Sequence, residues 1–137
     1  MNKTTFAAVA MLCLSPLAMA QSVSEHDGLL ADASGRTLYT FDKDAGGKSN
    51  CNDGCAAIWP PFVAKEGAQA KDGYSVVTRD DGSKQWAFKS MPLYYFASDS
   101  KPGDVLGDGR NGVWHVVRVG TPVAKRKVSG TNPLYDY

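Results

Sequence analysis

The chain of 137 residues is poor in the residues that most often carry chemistry. It has only two histidines, His26 and His115, and three cysteines, and its basic and acidic residues almost cancel, at fifteen against fourteen. So level a balance gives no general attraction to nucleic acid. There is no G-x-S-x-G, no C-x-x-C and no D-x-D-x-D-G loop, so the familiar serine-nucleophile, thiol-redox and EF-hand layouts are not written in it. The sole long apolar run, Phe6 to Leu14, lies at the amino end and is followed by Ala18-Met19-Ala20. That arrangement reads as a signal peptide over residues 1–20 with cleavage after Ala20. The run is too short for a membrane span, and no transmembrane segment is expected after cleavage. Leu12 directly before Cys13 argues against lipid attachment there. The expected product is periplasmic or secreted.

Cleavage removes Cys13 and leaves Cys51 and Cys55, an even pair in an oxidising compartment, for which a disulfide is expected. A loop so short gains roughly 2 kcal/mol from closure on the entropy model, enough to shape a loop but not to hold a domain.

What the chain does contain, it contains twice. Leu38-Tyr39-Thr40-Phe41-Asp42-Lys43-Asp44 and Leu93-Tyr94-Tyr95-Phe96-Ala97-Ser98-Asp99 both read L-Y-x-F-x-x-D, 55 positions apart, and Trp59 and Trp114, with Gly54 and Gly109, keep the same offset. Two copies of one unit are implied. Apolar runs around Gly-containing turns predict hairpins over Leu29–Asp32 with Thr37–Asp42, and over Tyr74–Arg79 with Lys84–Lys89 across Asp80-Asp81-Gly82-Ser83. Further strands are expected at Leu93–Ala97 and Val113–Val119. Cys55–Trp59 can form one helical turn, which Pro60 and Pro61 must end. The expected fold is mainly β: a single small domain of two pseudo-symmetric β units, about six strands, with Gly/Asp-rich loops and one short helical turn. The divisions are a flexible leader at 21–27, a two-repeat domain at 28–119 (repeats about 28–63 and 74–119) and a tail at 120–137. Within the tail, Lys125-Arg126-Lys127 is a weak basic patch, and Leu134–Tyr137 can dock on the body.

Period-two spacing puts Tyr39 with Phe41, and Tyr94 with Phe96, on one sheet face, either as core or as an aromatic platform for a ring-shaped ligand. Asp44 and Asp99 precede Gly-rich loops and can tie them down through their N–H groups, or can meet as a carboxylate pair. Hydrolytic use of such a pair would require the two to lie about a water's reach apart in a cleft. Asp42, Asp44, Asn50, Asn52 and Asp53 in the first loop, and Asp99, Asp104 and Asp108 in the second, carry a weak calcium reading. His115 with Met91, Asp44 or Asp99 is a weak metal candidate. The expectation is no cofactor and no catalytic residue. The repeat residues Tyr39, Phe41, Asp44, Trp59, Tyr94, Phe96, Asp99 and Trp114 are read as mainly structural.

At these positions the chain resembles a bacterial secreted repeat family with a Tyr-x4-Asp motif, the predicted lipoproteins with Y-x-[FWY]-x-x-D. G-R-T-L-Y-T-F-D-K-D, S-N-C-N-D-G-C-A-A-I-W-P-P, P-L-Y-Y-F-A-S-D with K-P-G-D, and G-V-W-H-V-V all fit, from about Gly28 to Val119. The resemblance implies export and a two-repeat β domain, without an established activity. Together these readings point to an exported, non-enzymatic binding or structural module of the cell envelope, partnered by an envelope component or small ligand. The alternative is a periplasmic metal or small-ligand carrier linked to a redox or metal pathway.

Overall fold

A computed structural model describes residues 23–120. The signal peptide with its cleavage point, the basic run at 125–127 and the docking of Leu134–Tyr137 lie outside the described residues.

The described chain is mainly β, in the order β1 (Val23–His26), β2 (Leu29–Asp32), β3 (Tyr39–Phe41), α1 (Gly54–Ile58), β4 (Tyr74–Thr78), β5 (Lys84–Phe88), β6 (Met91–Pro92) and β7 (Trp114–Val116), with a 3-10 turn at Arg110–Gly112. Three small antiparallel sheets, β1–β2, β3–β7 and β4–β5–β6, are joined by single bridges. Leu29 bridges Arg118, Tyr39 bridges Tyr94, Pro61 bridges Tyr94 and Val63 bridges Gln85. The pairing therefore runs from the β1–β2 hairpin through the 114–119 segment, β3, the Tyr94 segment and the Pro61–Val63 segment to the β5–β4 hairpin. A pseudo-two-fold axis passes between Tyr39 and Tyr94, which exchange backbone bonds in both directions, at 2.8 and 2.9 Å.

The symmetry is crossed. The key strand of the first copy, β3, pairs with β7 of the second, Tyr39 opposite Val116. Tyr94 of the second copy lies opposite Pro61 of the first, which is 55 positions before Val116. Asp42 N–H donates to the Val113 carbonyl and Ala97 N–H to the Ile58 carbonyl, each at 2.9 Å, again one bond seen twice.

Three expectations need correction. The hairpin expected over Leu29–Asp32 with Thr37–Asp42 is reduced to the Ala31–Thr37 bridge beside its turn, because β2 pairs with β1 and the backbone of Tyr39 turns to Tyr94 and β7. The leader at 21–27 contains β1, whose Val23–His26 pairs residue by residue with β2 across a turn in which Asp27 and Gly28 both take positive φ. Its polar sequence hides the strand because β1 is an edge, with Glu25 and His26 exposed. The strand expected over Leu93–Ala97 is reduced to the Tyr94 bridges, with β6 just before it. Pro60 and Pro61 have no N–H to give, so the ladder that β7 completes for β3 is interrupted on the mirror side. The Asp80–Ser83 turn forms as expected: Thr78 pairs with Lys84, and Asp81 Oδ1 accepts from Ser83 N–H at 2.9 Å. Cys51 and Cys55 are bridged, with α1 starting inside their loop.

The repeated strand buries both of its faces. Tyr39, Phe41, Tyr94 and Phe96 enter one core with Cys51, Trp59, Trp114 and Val116. Leu38 and Leu93 enter a second with Leu30 and Phe62. The first letter of the motif thus fills one core and the aromatic letters fill the other.

Candidate functional site

The first core is built on four rings in a column. Phe41 stacks on Trp114 at 4.2 Å between centroids, Trp114 on Trp59 at 3.8 Å and nearly parallel, and Phe96 lies against Trp59 at 4.4 Å, tilted by 31°. Since Phe96 and Trp114 are the 55-residue images of Phe41 and Trp59, the column is symmetric about its centre. Tyr39 meets Trp59 edge-on at 5.4 Å and Tyr94 meets Trp114 edge-on at 5.2 Å. Edge-to-face contacts of this kind are favoured by the ring quadrupoles. A Cβ on Gly107 would come within 2.7 Å of the Trp59 ring, so only glycine fits where the second loop crosses the column. The Arg110 guanidinium lies over Phe96, 5.1 Å from its centroid.

At each end of the column a phenol meets a carboxylate of the other copy. Tyr39 donates its hydroxyl hydrogen to Asp99 Oδ2 at 2.6 Å, and Tyr94 donates to Asp44 Oδ2 at 2.7 Å. The second oxygen of each aspartate holds its own loop: Asp44 Oδ1 accepts from Asn50 N–H at 2.7 Å and Asp99 Oδ1 from Leu106 N–H at 3.0 Å. Both aspartates and both tyrosines are buried. Short O–H···O⁻ bonds of this kind are about twice as strong as neutral ones.

Around this frame the copies differ. Arg79, 5 % exposed, donates to Ser49 Oγ at 3.0 Å, to Gln85 Oε1 at 2.7 Å and to the Cys51 carbonyl at 2.6 Å. Ser49 Oγ lies 2.6 Å from the Tyr94 hydroxyl. Because the Tyr94 hydrogen goes to Asp44, Ser49 is the donor there. Gln85 passes its amide to the Leu93 carbonyl at 2.7 Å. At the mirror position the Tyr39 hydroxyl receives Gly107 N–H at 3.3 Å. Sequence reading missed Arg79, Ser49 and Gln85. The available signal was parity, since Arg79 keeps step with the buried Val77 on an alternating strand.

Burial pushes the Tyr39 and Tyr94 hydroxyls above the ordinary phenol value, and their carboxylate partners add to the rise. Burial also raises Asp44 above 3.8, against the opposing effects of Asn50 N–H, the Tyr94 hydroxyl and Arg79. A carboxyl that binds its proton more tightly when folded favours the folded state below its unfolded pKa, and that advantage is lost as pH rises through the raised value. Wild type should therefore gain stability relative to Asp44→Asn as pH falls toward 3.8. Urea midpoints of the two proteins across that range check it; a constant difference would contradict it.

The remaining sequence candidates are dispersed. His115 Nε2 lies 2.8 Å from Asp42 Oδ2, both half-exposed, and neither Asp44 nor Asp99 joins them. Asp104 Oδ2 accepts Ser100 and Lys101 N–H, and Asp108 Oδ1 accepts Val116 N–H, so these loop acids tie down backbone. Among the described residues no three His, Cys, Asp or Glu side chains gather as a metal site. Nor is any helix among them long and apolar enough to cross a membrane. Beside Asp99 lies a recess of about 360 Å³ lined by Ser34, Arg36, Asp99, Ser100, Lys101 and Pro102.

These features define a two-repeat β module whose copies are bound by exchange of tyrosine and aspartate across a pseudo-two-fold axis. The chain belongs to the family described as a secreted repeat of unknown function, which matches it twice, over residues 21–63 and 75–118. It is an exported protein by that membership. No curated protein and no solved structure matches it.

Proposed function

We propose that the chain is a non-enzymatic binding or structural module of the cell envelope. One observation carries this reading: each motif aspartate has one oxygen on a loop N–H and the other on a tyrosine of the opposite copy. The residues that most resemble acid–base machinery are committed to holding the halves together. The recess beside Asp99 is the place for a ligand. Its charged groups already have partners, Asp99 with Tyr39, Lys101 with Asp104 at 3.2 Å and Arg36 over the Tyr95 ring at 4.2 Å, so a small polar group suits it better than a free ion. A thermal-shift screen of the mature protein against envelope sugars, peptides and lipid headgroups tests the reading. Expected is a ligand that raises the melting temperature of wild type and not of Ser100→Trp, which fills the recess. Substrate turnover abolished by Asp44→Asn or Asp99→Asn, or stoichiometric metal in protein purified without chelator, would overturn it.

A further inference from the structure

Tyr39, Trp59, Trp114 and Tyr94 form an unbroken line of the four most easily oxidised side chains of the core. Ring centroids are separated by 5.4, 3.8 and 5.2 Å along it. Each end is a phenol whose hydrogen already points at a carboxylate oxygen, at 2.6 and 2.7 Å. A buried tyrosine needs only some acceptor for its hydroxyl, and a backbone carbonyl would do. Here both copies supply a base within proton-transfer distance. We propose that this line is a one-electron relay, which takes an oxidising equivalent into the core and stores it as a tyrosyl radical at either end.

The chemistry balances within the residues present, given an external one-electron oxidant such as an oxygen-centred radical or a high-valent haem. An electron leaves one of the stacked indoles for the oxidant, and the indole hole is filled by an electron from Tyr39 or Tyr94. As that electron leaves, the phenolic O–H bond breaks and its proton moves to Asp99 Oδ2 or Asp44 Oδ2. The products are a neutral phenoxyl radical and a neutral carboxylic acid, so the net charge of the buried pair rises by one unit, from the carboxylate to zero. No net positive charge is left in the core, where it would be expensive. An external thiol or quinol returns the electron, and the proton goes back along the same hydrogen bond. The raised affinity of Asp44 for a proton, caused first by burial, suits it to this part. The Phe41 and Phe96 rings at the ends of the stack are too hard to oxidise to compete, and they bury the indoles.

The test is laser oxidation of the full mature chain with a photosensitised ruthenium(III) complex, followed by transient absorption and freeze-quench electron paramagnetic resonance. Expected in wild type is a neutral tyrosyl signal, formed more slowly in D2O because a proton moves with the electron. Tyr39→Phe and Tyr94→Phe should each remove about half of that signal, and the double variant nearly all of it, leaving short-lived indole radicals. Trp59→Phe, which keeps a ring in the stack, should slow arrival of the radical at Tyr39. Circular dichroism checks that each variant is folded; should the double variant fail to fold, the single variants and the wild-type isotope effect decide. A wild-type signal with no solvent isotope effect, or one that survives undiminished in folded Tyr39→Phe and Tyr94→Phe, would overturn the relay.

Discussion

Cut between Gly67 and Ala68, the chain yields two peptides, one ending at Gly67 and one running from Ala68 to Tyr137, that stay unfolded alone and fold when mixed one to one. The reason is the crossing of the copies. Every bridge that joins the small sheets, Leu29 to Arg118, Tyr39 to Tyr94, Pro61 to Tyr94 and Val63 to Gln85, spans the cut, as does the whole β3–β7 pairing. The first peptide keeps the β1–β2 hairpin, the short Ala31–Thr37 and Ala45–Lys48 bridges and the disulfide loop with α1, and the second keeps β4–β5–β6. Isolated hairpins are marginal in water at best. Each peptide also carries half of the ring column, with one phenol and one carboxylate that have lost their partners. The loss should amount to the whole folding free energy, about 5–15 kcal/mol for a domain of ordinary stability. Far-ultraviolet circular dichroism of each peptide and of the mixture decides it. The mixture should melt cooperatively, at a temperature that rises with concentration. Cooperative melting of either peptide as a monomer would show that the repeats are separate folding units.

Within the intact chain the largest single-residue loss is expected for Trp114→Ala, at about 3–5 kcal/mol. Its ring is 3 % exposed and meets Phe41 and Trp59 on its two faces and Tyr94 at its edge. Nothing nearby can collapse into the space without opening the column, because Tyr39 and Tyr94 are fixed at the backbone and at their hydroxyls. Trp59→Ala, its mirror image, should cost a similar amount. Trp86, partly buried beside the second core, should cost less than half as much. Urea denaturation of the three variants with a common m-value makes the comparison. A loss below about 1 kcal/mol at Trp114 would mean that the column is packing of an ordinary, replaceable kind.

The doubled motif, the β4–β5 hairpin and the short helical turn are visible in the sequence because they rest on local signals: a repeat at fixed offset, the Asp81-Gly82 turn and the Pro60–Pro61 stop. The sidedness of Tyr39 and Phe41 against Leu38 is visible too, since period two needs no knowledge of the partner strand. Illegible was which strand pairs with which. Aspartates tied to their own loops were expected, and the N–H bonds of Asn50 and Leu106 supply that half. The other half, Tyr39 with Asp99 and Tyr94 with Asp44, joins residues 60 and 50 positions apart. A contact between copies leaves the same trace in a sequence as a contact within each. Arg79 was passed over for a related reason: a cation next to a Asp-Asp-Gly turn looks solvated until Ser49, Cys51 and Gln85 close around it.

The exchange of partners also governs how such a chain can change by inheritance. A substitution at Asp44 is felt first by Tyr94, and one at Asp99 by Tyr39, so neither copy can drift without answering to the other. Their surroundings carry no such obligation. One phenol has come to rest under a serine and an arginine beside a disulfide, the other under a bare glycine amide. Duplication has left this molecule a hinge-pin that must be kept in matched pairs and two loops at liberty to specialise.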